Sequence, residues 1–322
     1  MEKIKLAYFT SLREIIGDER VSTVVIDNET GADYGYRVGN LEAMALDIRQ
    51  GQSDFAKTFE LTMVFSDDSD AHMESVRPMV SRWPFEIEVP VNGSGSAGVA
   101  NPLEDMLVRI PSEPWRRIRD KVQKAGRKAL YEQQVVVELK KRGVDLILSD
   151  SYLSLFADSI LREFDKRILN IHPAITDIES PYRLPGLTPT RDAYTRARHG
   201  FIIVDDKKKP ETWPKGPVVR VNYNGVERGA VKVRQFGGTG VTVHVIDALV
   251  DHGPVVMADS HTFDPSTSYE GIREGNYRIK KELLPKALLE YVKRPEILSL
   301  IEAKRQELQK LEPNAPNYHK AS

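Results

Sequence analysis

Short apolar runs of strand length alternate with longer amphipathic stretches along this chain. Ile4 to Phe9 alternates as a strand does and feeds Thr10-Ser11-Leu12-Arg13-Glu14, a hydroxyl followed by an acid three residues on, which reads as a capping box opening a helix. Phe59 to Phe65 and Phe85 to Val89 are further strands, with Asn28 to Asn40 as loop and 92–98 a flexible glycine- and serine-rich patch. A single long helix is expected from Ser112 to Arg142, with Leu130, Val135, Val136 and Leu139 on its apolar stripe and Gly143 ending it. Val144 to Ser149 and Ile168 to His172 then read as buried parallel strands flanking a helix.

Beyond them the pattern changes. Phe201 to Val204, Val218 to Tyr223, Gly229 to Val233 and Val241 to Ile246 are short strands between turns, which suggests antiparallel pairing, and from Ser266 the chain is helical, with a second helix from Pro295 to Leu311 and a frayed tail from Glu312. The fold class expected is α/β: a doubly wound, Rossmann-like, mostly parallel sheet with long insertions, an antiparallel strand region and C-terminal helices. Residues 1–262 form one domain with insertions near 66–130 and 200–235, and 263–322 supply helices packing on that domain and a tail.

Composition narrows the chemistry. The 322 residues contain no cysteine, which removes disulfides, thiolate nucleophiles and zinc–cysteine sites. Lys and Arg number 46 against 47 Asp and Glu, so no global field draws a polyanion, and nucleic acid is not an expected partner; Lys207-Lys208-Lys209 beside Pro210 reads as a solvated loop. No apolar stretch reaches membrane-spanning length and the start of the chain lacks a secretory pattern, so the expected location is the cytoplasm.

In a doubly wound sheet, ligands sit at the carboxyl ends of strands, where Asn170 and His172 fall. Two residues apart on a strand, they point to the same side. Downstream, Gly240-Val241-Thr242-Val243-His244-Val245-Ile246-Asp247-Ala248-Leu249-Val250-Asp251-His252-Gly253-Pro254 reads as a strand, an acidic turn and the start of another strand. Taken singly, a strand-end Asn or His is most often a structural hydrogen-bonding residue, and an Asp-x-Gly-Pro run is most often a turn.

Together, Asn170-Ile171-His172-Pro173 and His244-x6-Asp251-x-Gly253-Pro254 resemble the 10-formyltetrahydrofolate-dependent formyltransferases. The resemblance extends through 144–200 and 236–262. It implies a transferase that moves a formyl group from 10-formyltetrahydrofolate to a small-molecule amine, with Asn170, His172 and Asp251 catalytic and no metal. That chemistry suits the residues: an amide and an imidazolium stabilise a developing oxyanion, and a carboxylate takes the amine's proton. The resemblance further implies that Tyr152, Leu153, Phe156, Leu161, Asp247 and Val250 bind the folate, although ordinary core packing accounts for part of that set equally well. His244 is as readily a structural partner of the site as a participant, and His252 stands where glycine is commoner.

The acceptor is narrowed by departures from the family. No glycine-rich phosphate loop follows the first strand, against a ribose-phosphate acceptor. Only helices and a tail follow the catalytic segments, against a tRNA acceptor. The long insertions are similar to those of hydroxyornithine formyltransferases of siderophore biosynthesis, which implies N5-hydroxyornithine, with Arg183, Thr188, Thr190 and Gln235 as candidate acceptor-binding residues. A sugar-nucleotide N-formyltransferase and a formyltetrahydrofolate hydrolase stand as alternatives; oligomeric state is not legible.

Overall fold

The structure, a computed structural model, describes residues 2–11, 26–27, 35–36, 40–67, 87–88, 99–100, 106–150, 152, 154–156, 158–177, 179–184, 186, 188–204, 216–247, 249 and 251–311. In chain order the strands are β1 (Ile4–Thr10), β2 (Ile26–Asp27), β3 (Gly35–Tyr36), β4 (Phe59–Ser66), β5 (Ile87–Glu88), β6 (Val99–Ala100), β7 (Leu107–Arg109), β8 (Leu146–Asp150), β9 (Ile168–His172), β10 (Phe201–Ile203), β11 (Val218–Tyr223), β12 (Val226–Lys232), β13 (Gly238–Val245) and β14 (Val255–Thr262). The helices are α1 (Asn40–Gln50), α2 (Asp54–Thr58), α3 (Glu113–Arg116), α4 (Lys121–Lys141), α5 (Asp158–Glu163), α6 (Pro189–His199), α7 (Tyr269–Val292) and α8 (Pro295–Leu311).

A seven-stranded sheet runs β14-β13-β9-β8-β1-β4-β7. The five strands from β9 to β7 are mutually parallel, whereas β13 pairs antiparallel with both β9 and β14. From β1 the chain builds outward through β4 to β7, then returns to place β8 and β9 on the other side of β1. The order therefore reverses between β1 and β8, the crevice where doubly wound sheets take ligands. The expected Rossmann-like α/β class is what the chain adopts.

Both faces of this sheet are covered, which is why β8 is buried throughout. Leu6, Tyr8, Leu146 and Leu148 face a core closed by α1, α7 and α8 through Leu41, Leu284, Leu288 and Ile301. Ala7, Phe9, Ile147 and Phe65 face the opposite core, closed by Tyr131, Val135 and Leu139 of α4 and Ile160 of α5. The alternation along each strand thus sorts its side chains between two cores.

Several expectations need correction. The helix expected over 112–142 is two helices, because Asp120 caps a new one: its Oδ1 accepts from Gln123 N at 2.8 Å. The stripe of α4 runs through Tyr131, Val135 and Leu139, and Leu130 is 54% exposed. Gly143, at φ +62°, ends that helix as expected. Asn40 begins α1 rather than ending a loop, and Gly35–Tyr36 pairs with Ile26–Asp27. The antiparallel region divides: β10, β11 and β12 form a separate three-stranded sheet, while β13 joins the main one. The expected helix start at Ser11–Glu14, the glycine-rich patch, Lys207–Lys209 and the tail lie wholly or mostly outside the described residues.

Candidate active site

Asn170 and His172 lie on β9, and β13 runs alongside with His244 directly opposite Asn170 and Thr242 opposite His172. Cross-strand partners on one face approach closely, so Asn170 Nδ2 reaches His244 Nε2 at 3.1 Å. His244 Nδ1 lies 3.1 Å from its neighbour's carbonyl, Val245 O. That carbonyl only accepts, so the proton sits on Nδ1 and Nε2 accepts from the amide. The ring thereby fixes which way the Asn170 amide points, leaving its second N–H for a ligand.

Burial holds the His244 pKa below its ordinary value; the charge of Asp251 opposes that shift, and His172 adds to it. A group depressed in the fold contributes stability above its unfolded value of 6.5, and that stability is lost as pH falls through the folded value. Thermal unfolding of the wild type should show such a loss below pH 6.5, and His244→Gln should remove that component.

His172 Nε2 lies 2.9 Å from Leu184 O and donates to it. Its Nδ1 stands 3.6 Å from Asp251 Oδ1, and the same oxygen is 3.7 Å from His244 Nε2. Asp251 therefore sits between two imidazoles, beyond hydrogen-bond length from each, with its Oδ2 accepting from Gly186 N at 2.8 Å.

Local geometry explains how Asp251 gets there. Its φ is +56°, a left-handed conformation that Asp and Asn tolerate better than most residues. Two residues on, a Cβ at Gly253 would stand 1.7 Å from Val245 O, so only glycine lets the returning chain close against β13. Val245 N donates to Pro254 O at 2.9 Å and secures that closure.

The folate-binding candidates divide. Tyr152 and Phe156 join an aromatic cluster with Phe9 and Phe65, and the Tyr152 and Tyr131 hydroxyls are 3.1 Å apart. Leu161 and Asp247 line a cavity of about 730 Å³ together with Val245, Ile246 and Pro254, on the loop that carries Asp251. Leu153 and Val250 lie outside the described residues.

Each acceptor-binding candidate is near α6. Arg183 Nε donates to Thr176 O at 3.3 Å, and Gln235 Nε2 to Ala197 O at 2.8 Å at the helix's carboxyl end. Thr188 is the buried N-cap residue and accepts from Arg191 Nη2 at 2.6 Å; Thr190 is buried in the first turn. Among the described residues no group of three or more His, Asp or Glu could hold a metal, and no helix is long and apolar enough to cross a membrane.

The parallel sheet with its ligand crevice defines an α/β protein, and residues 104–202, which include the Asn170–His172 pair, match the family described as formyl transferase. That match includes β8 and β9 and ends before β13 and Asp251. The solved structure of PvdF of pyoverdin biosynthesis, an N10-formyltetrahydrofolate-dependent formyltransferase, superimposes with TM-score 0.65 at 24% identity, covering 91% of this chain and all of that one. Glycinamide ribonucleotide transformylase 1 from Symbiobacterium toebii gives TM-score 0.48 at 19% identity, over 88% of this chain and 85% of that one. Phosphoribosylglycinamide formyltransferase of Bacillus subtilis (strain 168) is 22% identical over 161 residues, half of this chain and 60% of the relative's length.

Sequence reasoning named His244 as a structural partner of the site or a participant without reaching its bond to Asn170, and it missed Leu184 O and Gly186 N as partners of His172 and Asp251. The alternation that sets Thr242 and His244 on one face was the available signal for the first.

Proposed function

We propose that this protein transfers a formyl group from 10-formyltetrahydrofolate to the side-chain nitrogen of N5-hydroxyornithine. One observation carries the reading: an amide held by a neutral imidazole, a second imidazole and a carboxylate converge where β9 and the Asp251 loop meet. The likeness to PvdF supports the acceptor, as does the want of a glycine-rich phosphate loop after β1.

The donor supplies an electrophilic formyl carbon on N10. The acceptor nitrogen bonds to that carbon, the bond to N10 breaks, N10 gains a proton and the attacking nitrogen loses one, giving the N-formyl product and tetrahydrofolate. Asn170 donates its second N–H to the oxyanion as charge develops on the formyl oxygen. His172 adds positive charge beside that oxygen in its protonated form, with Asp251 and Leu184 O facing its two nitrogens. Asp251 receives the amine's proton, directly or through one water.

The residues present suit the donor. A cavity of about 730 Å³ is of the size that takes a cofactor-sized ring system; Leu161, Val245, Ile246 and Ile297 give it an apolar wall, and charged residues, among them Arg162, Lys166, Asp247 and Arg294, line the rest. The loop 246–254 borders the cavity and carries Asp251, so a pterin seated there would bring N10 toward the carboxylate.

The test is an acceptor panel. Protein, 10-formyltetrahydrofolate and, separately, N5-hydroxyornithine, ornithine, an amino-sugar nucleotide and no acceptor are incubated, and tetrahydrofolate formation is followed. Turnover dependent on hydroxyornithine is expected; equal turnover without acceptor would make the protein a hydrolase, and turnover only with the sugar would displace the amino acid.

A further inference from the structure

The group that orients His172 belongs to a segment that itself needs an anchor. Directly after His172 comes Pro173, which has no N–H to continue a ladder, so the chain leaves β9 there. It returns at Leu184, whose carbonyl lies 2.9 Å from His172 Nε2. Leu184 N donates to Ile175 O at 3.0 Å, and Ile175 forms an isolated bridge with Arg183. Thr176 N donates to Thr242 Oγ1 at 3.1 Å, and Thr242 stands opposite His172 on β13. The place of the Leu184 carbonyl therefore depends on how the stretch that begins at Pro173 is held.

Helix α7 supplies a second hold. Ile272 packs in one buried cluster with Ala174 and Leu184, close to the two ends of the stretch. One turn further on, and so on the same helix face, Asn276 Nδ2 donates to Pro173 O at 3.0 Å. Asn276 is 4% exposed, and its Oδ1 lies 3.0 Å from His261 Nε2 of β14. The Pro173 carbonyl only accepts, which sets the amide nitrogen of Asn276 on that side and its oxygen toward His261; the ring nitrogen of His261 is then the donor. A run of hydrogen bonds thus leads from β14 through α7 to the residue after His172.

The reacting ring depends on that run. His172 is buried, and its Nε2–H on Leu184 O leaves Nδ1 toward Asp251. If the carbonyl moved, the ring could turn, and a misplacement of about 1 Å at a reacting centre can cost about 10²-fold in rate.

We propose that Asn276, oriented by His261, is a positioning residue for His172: it fixes the Pro173 carbonyl, and through that stretch the Leu184 carbonyl that holds the ring. The hold on the ring is read without substrate, so only the turnover part of the proposal rests on the formyl-transfer reading.

Solvent exchange of the His172 Nε2–H proton, followed by NMR on the whole chain labelled with ¹⁵N-histidine, tests it. That resonance is identified among the seven histidines by its loss in His172→Gln. In Asn276→Leu, a nearly isosteric change, the proton should exchange about tenfold faster or more. In the same variant kcat for formyl transfer should fall about tenfold, with both KM values within about twofold. His261→Gln, which keeps a donor where Nε2 stood, should match the wild type, whereas His261→Leu should speed exchange about threefold or more. The His261 pair keeps the test decisive should Asn276→Leu unfold. Wild-type exchange in folded Asn276→Leu or His261→Leu, failure of His261→Gln to restore it, or a fall in kcat/KM carried by KM alone would overturn the proposal. Faster exchange in the variants of a protein that transfers no formyl group would sink the activity alone; unchanged exchange in a protein that does transfer it would sink the positioning role alone.

Discussion

Replacing Asp251 by asparagine is expected to lower formyl-transfer turnover by about 10²–10⁴-fold, the range lost with a general base, while the fold persists. Asparagine is the fitting replacement because the position has φ +56°, which Asn adopts at little cost. An amide oxygen can also still accept from Gly186 N, so the loop keeps its tether. What disappears is the negative charge 3.6 Å from His172 Nδ1 and 3.7 Å from His244 Nε2, and with it the proton acceptor. Turnover at saturating donor and acceptor, with unfolding midpoints measured alongside, checks it; turnover within threefold of wild type would remove Asp251 from the chemistry.

Substituting Lys280 by methionine should destabilise the protein by about 3–5 kcal/mol at neutral pH, the cost of stranding a buried charge whose partner is removed. Asp150 would keep Tyr8 and Asn40 as donors but lose the Lys280 ammonium bonded to it. The sign of the pH dependence should change with it. In the wild type the carboxyl is depressed, so its contribution is full above the unfolded value of 3.8 and is lost as pH falls through the folded value. Without Lys280, burial prevails and raises the carboxyl, so the variant's deficit should shrink as pH is lowered and Asp150 takes up a proton. Denaturant unfolding from pH 4 to 8 measures both trends, and Asp150→Asn combined with Lys280→Met should recover much of the loss.

These two sites differ in how far the sequence reveals them. Asn170 and His172 are legible because strand alternation is local: two residues apart on a five-residue apolar run, they must share a face. Asp251 is legible through the turn it occupies and through Gly253. His244 as the holder of Asn170 depends on β13 lying antiparallel beside β9, and alternation reveals a strand's faces but not its neighbour. The Asp150–Lys280 pair joins residues 130 positions apart, and in sequence Lys280 is one of several lysines on an exposed-looking helix. The same limit governed α4. Its period was evident, but the break at Asp120 reset the stripe to Tyr131, Val135 and Leu139 and turned Leu130 outward. Local pattern decides what an element is; partners distant in sequence decide which of its residues meet.

The most direct test of the central claim follows the formyl carbon itself. 10-Formyltetrahydrofolate carrying ¹⁴C in the formyl group is incubated with the protein and N5-hydroxyornithine, and the label is apportioned between formylhydroxyornithine, free formate and unreacted donor. Label passing to formylhydroxyornithine in step with tetrahydrofolate release, and not in the Asp251→Asn protein, is the expected result. Label that stays on the donor, or leaves as formate whether or not the acceptor is present, would contradict formyl transfer at this site.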